Sequence, residues 1–165
     1  MTGFISSLTE PGQSGGLSRR AWIVVMLLAV IAHFPGLFSI PAMDRDEARY
    51  AQASRQMMET GDFVDIRFQD DPRHVKPSGI YWLQVITTQP FGGETAPIGA
   101  HRLPSFFGSL IAVALTAWLG ARLFSPSVGL VAGIVMGLGL AMQIEARTAK
   151  TDAALLAAGM FAQVA

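Results

Sequence analysis

The residues with the widest chemical repertoire in this chain stand close together. The run Asp44-Arg45-Asp46-Glu47-Ala48-Arg49-Tyr50 crowds acids and arginines into a short stretch, and Lys76 and Asp152 add a cation and an acid further on. Asp46 or Glu47 is suited to act as a general base or metal ligand, while Arg49 and Lys76 are cationic donors for a phosphate or pyrophosphate group. Each has a plainer use as well. Asp44 and Asp46 are good helix N-caps, and the helix dipole favours acids in a first turn. Arg49 stands three residues from Asp46, the spacing of an intrahelical ion pair. Lys76 fits an interfacial lysine that snorkels. Asp152 heads an apolar run, where an acid is costly unless paired or facing a polar cavity, and with Thr151 it equally suits a helix start. His74 lies near Lys76, but no second His or Cys stands at ligand spacing, so no metal site is assigned. His33 and His101 read as packing or boundary residues.

The acids open a predicted helix that ends near Thr60-Gly61, with Tyr50, Ala53, Met57 and Met58 at helical spacing. Such a stripe lays the helix on a membrane surface. Residues 61–71 read as a turn or short extended connector. Residues 77–86 read as a second interfacial helix, with Tyr81 and Trp82 at headgroup depth.

What surrounds this loop is apolar. Hydrophobic residues make up 51% of the 165, charged residues 15%, and mean hydropathy is +0.41, whereas globular domains carry about 25% charged residues. The charge collects between Met43 and Arg102. Net charge is zero without long like-charge runs, which excludes a nucleic-acid surface or acidic tail. The absence of cysteine excludes disulfides and thiolate metal sites.

Four spans are predicted, giving an all-α, multispanning fold. Residues 21–40 form the first, longer than a signal-peptide core and without a small-residue cleavage site at Phe34-Pro35-Gly36. Residues 103–124 form the second and 128–142 the third, an antiparallel hairpin turning at Ser125-Pro126-Ser127. Gly129, Gly133 and Gly137 supply small-xxx-small spacing. Residues 153–165 read as a fourth span, cut short. Residues 1–18, rich in Gly, Ser and Thr, read as a disordered cytoplasmic tail. Arg19-Arg20 put the N-terminus inside and the loop of residues 41–102 outside. Counting spans puts that loop and residues 143–152 on one side, so the two charged segments face one another.

Three segments resemble a known family, the polyprenyl-phosphate-sugar glycosyltransferases of the GT-C superfamily, particularly the bacterial lipid A aminoarabinose transferases and related protein mannosyltransferases. Asp46-Glu47-Ala48-Arg49-Tyr50-Ala51, with Arg55-Gln56-Met57-Met58 and Gly61-Asp62-Phe63, resembles the family's opening of the first periplasmic loop. Lys76-Pro77 with Tyr81-Trp82 is similar to its K-P-P-x-x-Y-W segment, and Phe91-Gly92 with Arg102-Leu103-Pro104-Ser105 to the run entering the second span. The resemblance implies a multi-pass enzyme of the bacterial inner membrane that moves a sugar from undecaprenyl phosphate to a periplasmic acceptor such as lipid A, another glycan or a protein, inverting the anomeric centre. It implies that Asp46, with Glu47 beside it, positions or activates the acceptor, that Arg49 and Lys76 hold the carrier phosphate, and that Asp152 is the acid near the start of the fourth span. A divalent metal is an open implication, weakened because Val75 stands where an acid often precedes Lys76. Ser78 replaces the second Pro and Gln56 the usual Glu. Family members have about a dozen spans, so the chain reads as an N-terminal fragment, inactive alone.

The competing class is a noncatalytic membrane protein that binds the carrier phosphate or packs against other helices. A small transporter is disfavoured, because these acids sit at span boundaries rather than at the midplane.

Overall fold

The computed structural model describes residues 7–12, 16–73 and 76–164, and these are almost wholly helical. Helix α1, Arg19–His33, starts where the Ser18 hydroxyl accepts the Ala21 N–H. It ends well before residue 40 because Pro35 has no N–H to continue it and Gly36 turns the chain at φ +85°. The first predicted span is therefore a shorter helix followed by a turn. Within the stretch read as a disordered tail, Leu17 is buried in the cluster that packs α1, and Leu8 lies against it.

Helix α2, Arg45–Thr60, takes Asp44 as N-cap, with the Asp44 side chain accepting the Asp46 N–H at 2.9 Å, and stops at Gly61 with φ +70°. A short hairpin follows, β1 (Arg67–Phe68) pairing antiparallel with β2 (Asp71–Pro72). Helix α3, Gly79–Thr88, buries Ile80, Tyr81, Gln84 and Thr88. Tyr50, Ala53 and Met57 of α2 pack with Ile66, Ile80 and Tyr81 in one core.

Helix α4, Ile98–Leu123, is long and apolar enough to cross a membrane. It begins five residues earlier than its apolar run suggests, after the extended Pro97. Helix α5, Pro126–Leu138, opens with Ser125 accepting the Val128 N–H. It joins α6, Leu140–Ala146, through Gly139 at a bend of 58°, and together these two have the length and apolar composition of a broken span or a re-entrant loop. Helix α7, Asp152–Val164, is apolar but shorter.

Glycine brings these helices together. A Cβ on Gly129 would stand 2.5 Å from the Ala117 carbonyl oxygen and 2.6 Å from the Ala121 nitrogen, and one on Gly133 would stand 2.8 Å from Ala117 Cβ and 2.9 Å from Val25. The small-xxx-small row of α5 is thus the contact with both α4 and α1.

The loop is fastened to this bundle through Arg102, which is fully buried on α4. Its Nε donates to Glu47 Oε1 at 2.7 Å and its Nη2 to Glu47 Oε2 at 3.2 Å. Its Nη1 donates to the carbonyls of Leu37 at 2.9 Å and Ile40 at 2.7 Å, and its Nη2 to that of Pro41 at 3.1 Å. Five donors meet five acceptor contacts, the full capacity of a guanidinium.

Two outcomes follow for stability in detergent micelles. Gly129→Leu forces backbone apart and lowers unfolding free energy by about 3 kcal/mol, whereas Gly159→Ala, with nothing within 4 Å of the added carbon, is tolerated. Glu47→Gln leaves a buried guanidinium uncompensated and costs about 3–5 kcal/mol, and Arg102→Lys does not substitute because it lacks the fork. Wild-type thermal unfolding in Glu47→Gln would contradict the clamp.

Candidate functional site

The first turn of α2 and the turn between α6 and α7 meet at one end of the bundle. Four contacts join them or hold the second turn in place. The Ala149 N–H donates to Glu47 Oε1 at 3.0 Å, Lys150 Nζ pairs with Asp44 Oδ2, and the Thr151 hydroxyl bonds to Tyr50 Oη at 2.9 Å. From α4, the Ser105 hydroxyl donates to the Lys150 carbonyl at 2.9 Å. The two charged segments of the sequence are thus in direct contact.

The electrostatics follow from that contact. The Lys150 ammonium, then the Asp46 N–H, hold the Asp44 carboxyl below its ordinary value. Reciprocally, the hydrogen bond to Asp44 raises Lys150, with Asp46 and Glu145 adding to the favourable field. Lys150 therefore stays charged beside the α2 turn at neutral pH.

Among the residues expected to act, Asp46 is exposed and makes an ion pair with Arg49 at 3.6 Å, their side chains being 56% and 35% exposed. The Arg49 guanidinium lies 5.9 Å from the centroid of the Phe68 ring on β1. A single long contact of this kind between partly solvated groups is worth little, so both remain available to a ligand. Glu47 differs from Asp46 in every respect. It is 0% exposed, and its oxygens take Arg102, the Met43 N–H at 3.1 Å and the Ala149 N–H. Its side chain is closed off from solvent, and its contacts tie the two turns together.

Lys76 is exposed and has no hydrogen bond or ion pair among the described residues. Asp152 is exposed at the start of α7 and interacts with Glu145. Both acids line a cavity of about 620 Å³ whose walls include Ala132, Val135, Met136 and Leu156. Among the described residues, no hydrogen bond or ion pair joins Asp152 to Asp46, Arg49 or Lys76.

His74 lies outside the described residues, and among those described no group of three or more His, Asp or Glu side chains is arranged to hold a metal ion. His33 and His101 are buried packing residues. His33 Nε2 donates to the Gly137 carbonyl at 2.9 Å, and His101 Nδ1 lies 3.1 Å from the Ser54 hydroxyl.

Residue type alone did not single out Lys150 or the role of Arg102. The available signal for Arg102 was a charge at the mouth of an apolar span, where an ion needs a partner. For Lys150 it was position, two residues before Asp152 in a polar interval between apolar runs.

No family model matches the chain, and no solved structure matches it. Curated relatives do. An undecaprenyl phosphate-alpha-4-amino-4-deoxy-L-arabinose arabinosyl transferase of Enterobacter sp. (strain 638) is 27% identical over 114 residues, covering 66% of this chain and 20% of the relative. Proteins of the same description from Yersinia pestis (strain Pestoides F) and Yersinia pseudotuberculosis serotype O:1b (strain IP 31758) are each 34% identical over 79 residues, covering 48% of this chain and 14% of theirs. The chain is similar to these arabinosyl transferases and spans a fifth or less of their length.

Proposed function

We propose that this chain is the part of a membrane glycosyltransferase that handles the carrier phosphate and the acceptor hydroxyl, with an undecaprenyl-phosphate-linked sugar as donor and a lipid or glycan as acceptor. What carries the reading is the docking of the Ala149-Lys150-Thr151 turn on the first turn of α2. That contact leaves Asp46 exposed and Arg49 partly exposed on the first turns of α2, with Lys150 charged beside them. The similarity to the arabinosyl transferases supports it.

In this proposal Asp46 accepts the proton of the acceptor hydroxyl as its oxygen attacks the anomeric carbon from the face opposite the phosphate. The bond from that carbon to the phosphate oxygen breaks, the electron pair leaves with the phosphate, and configuration inverts. Arg49 and Lys76 face the negative charge that grows on the departing group, where cations are most effective. Glu47 is a positioning residue, through Arg102 and Ala149. Asp152, two residues past Lys150, is a second carboxylate at the same end of the bundle. The setting is the bacterial inner membrane, with the loop of residues 41–102 on the periplasmic side. No step is assigned to a metal.

The test separates chemistry from binding. In the complete enzyme, Asp46→Asn lowers turnover by about 10²–10⁴-fold, the usual contribution of a positioned base, and leaves affinity for undecaprenyl phosphate unchanged. Lys76→Ala weakens that affinity about tenfold, the loss of one charge-assisted hydrogen bond. Unchanged turnover in Asp46→Asn, with Lys76→Ala still impaired, would instead support a noncatalytic binder of the carrier lipid.

A further inference from the structure

Arg73, a cation of the loop, has no part in the site as described so far, yet two aromatic side chains orient it. Arg73 follows β2, with its guanidinium 5.2 Å from the centroid of the Tyr50 ring. Its Nε donates to the Tyr81 hydroxyl at 2.9 Å. The two tyrosines stack on each other, ring centroids 5.4 Å apart and planes inclined by 28°. Both are buried, at 3% and 0% exposure, and Thr151 fixes the Tyr50 hydroxyl from the other side. The Nε edge of the guanidinium and its place over the Tyr50 ring are thus set by groups that belong to the core.

The rest of Arg73 is uncommitted. The side chain is only partly buried, and no carboxylate pairs with it among the described residues. Burial pushes the Tyr81 phenol above its ordinary value, so Tyr81 is a neutral acceptor and leaves the charge uncompensated. The terminal Nη1 and Nη2 groups have no acceptor among the described residues. This is the half of a guanidinium that binds two oxygens of one phosphate side by side. A lysine supplies charge to a phosphate without fixing its direction, whereas a braced arginine supplies both. Arg73 also stands three residues before Lys76 and rests on the ring of Tyr50, the immediate neighbour of Arg49.

We propose that Arg73, braced by the face of Tyr50 and the hydroxyl of Tyr81, is a further phosphate-binding residue of this loop and orients the phosphate of a lipid carrier. The proposal rests on the reading that the loop holds such a phosphate. Tyr81 is a positioning residue here, acting through Arg73, because its own surface is closed.

The experiment is equilibrium binding to the whole chain in lipid nanodiscs, with undecaprenyl phosphate as probe, undecaprenol as its uncharged control and inorganic phosphate as competitor. Wild-type chain binds the phosphate form in preference to the alcohol. Arg73→Met weakens binding of the phosphate form about tenfold, and Arg73→Lys restores little of it, since charge without the fork is not equivalent. Tyr81→Phe keeps the stack but frees the guanidinium, and weakens binding about threefold. Thermal unfolding near the wild-type midpoint shows that each variant is folded, and Tyr81→Phe serves if Arg73→Met is not. Wild-type affinity in both Arg73→Met and Tyr81→Phe, with Lys76→Ala impaired, overturns the role of Arg73 and leaves the proposed function standing. Equal binding of undecaprenyl phosphate and undecaprenol by the wild type overturns the phosphate reading of the whole loop. Absence of competition by inorganic phosphate supports a lipid headgroup, and full competition at equal concentration overturns the assignment to a lipid.

Discussion

Arg102 carries a full positive charge to the interior of the protein, and the arrangement of everything outside the helical bundle follows from how that charge is met. Moving a guanidinium out of water costs several kcal/mol unless charge and hydrogen bonds are both returned. Glu47 returns the charge, and the carbonyls of Leu37, Ile40 and Pro41 take the remaining donors. Those carbonyls belong to the turn after α1, Glu47 to the first turn of α2, and Arg102 itself to α4. One side chain therefore fixes three segments relative to each other. Glu47 then extends the fixation to a fourth through the Ala149 N–H. The loop is held by this satisfied ion pair with its branching set of acceptors as well as by the apolar cluster of Tyr50, Ala53, Met57, Ile66, Ile80 and Tyr81.

Around this buried pair the exposed charges are free to differ in use. Asp44 and Lys150 close the joint between the two turns, while Asp46 and Arg49 lie on the open side of the same helical turn. Adjacent positions on a helix point about 100° apart, so Asp46 and Glu47 look in different directions by geometry alone. Similar residues one step apart thus divide into a solvent-facing acid and a buried brace. Tyr50, one turn further along, belongs to the buried side and carries the aromatic pair on which Arg73 rests.

The sequence made the local elements legible and left the long-range partners obscure. Asp44 as a cap and Gly61 as a left-handed stop mark α2 at both ends, because capping chemistry is a short-range property. The second loop helix and the α4–α5 hairpin were readable for the same reason, and the glycine row on α5 announced its own packing. The end of α1 at His33 was overridden by hydropathy, since the residues that follow Pro35-Gly36 are still apolar. The break at Gly139 was hidden within a continuous apolar run, where periodicity does not distinguish one helix from two. Glu47 and Arg102 are separated by more than fifty positions, so nothing local distinguishes Glu47 from its acidic neighbours. Asp46, Arg49 and Lys76 could be named from residue type and resemblance, whereas the contribution of Lys150 emerges only when its turn is seen against α2.

The bend between α5 and α6 interrupts an apolar stretch of helix at Gly139. The carbonyls of Gly137 and Leu138 lose their partners on the next turn, and each is met by a side chain: His33 Nε2 at 2.9 Å and Gln143 Nε2 at 2.8 Å. Backbone freed inside a bilayer is tolerated when protein groups take it up. Two side chains from other turns thus supply, across the break, the donors that a continuous helix would have given from its own backbone.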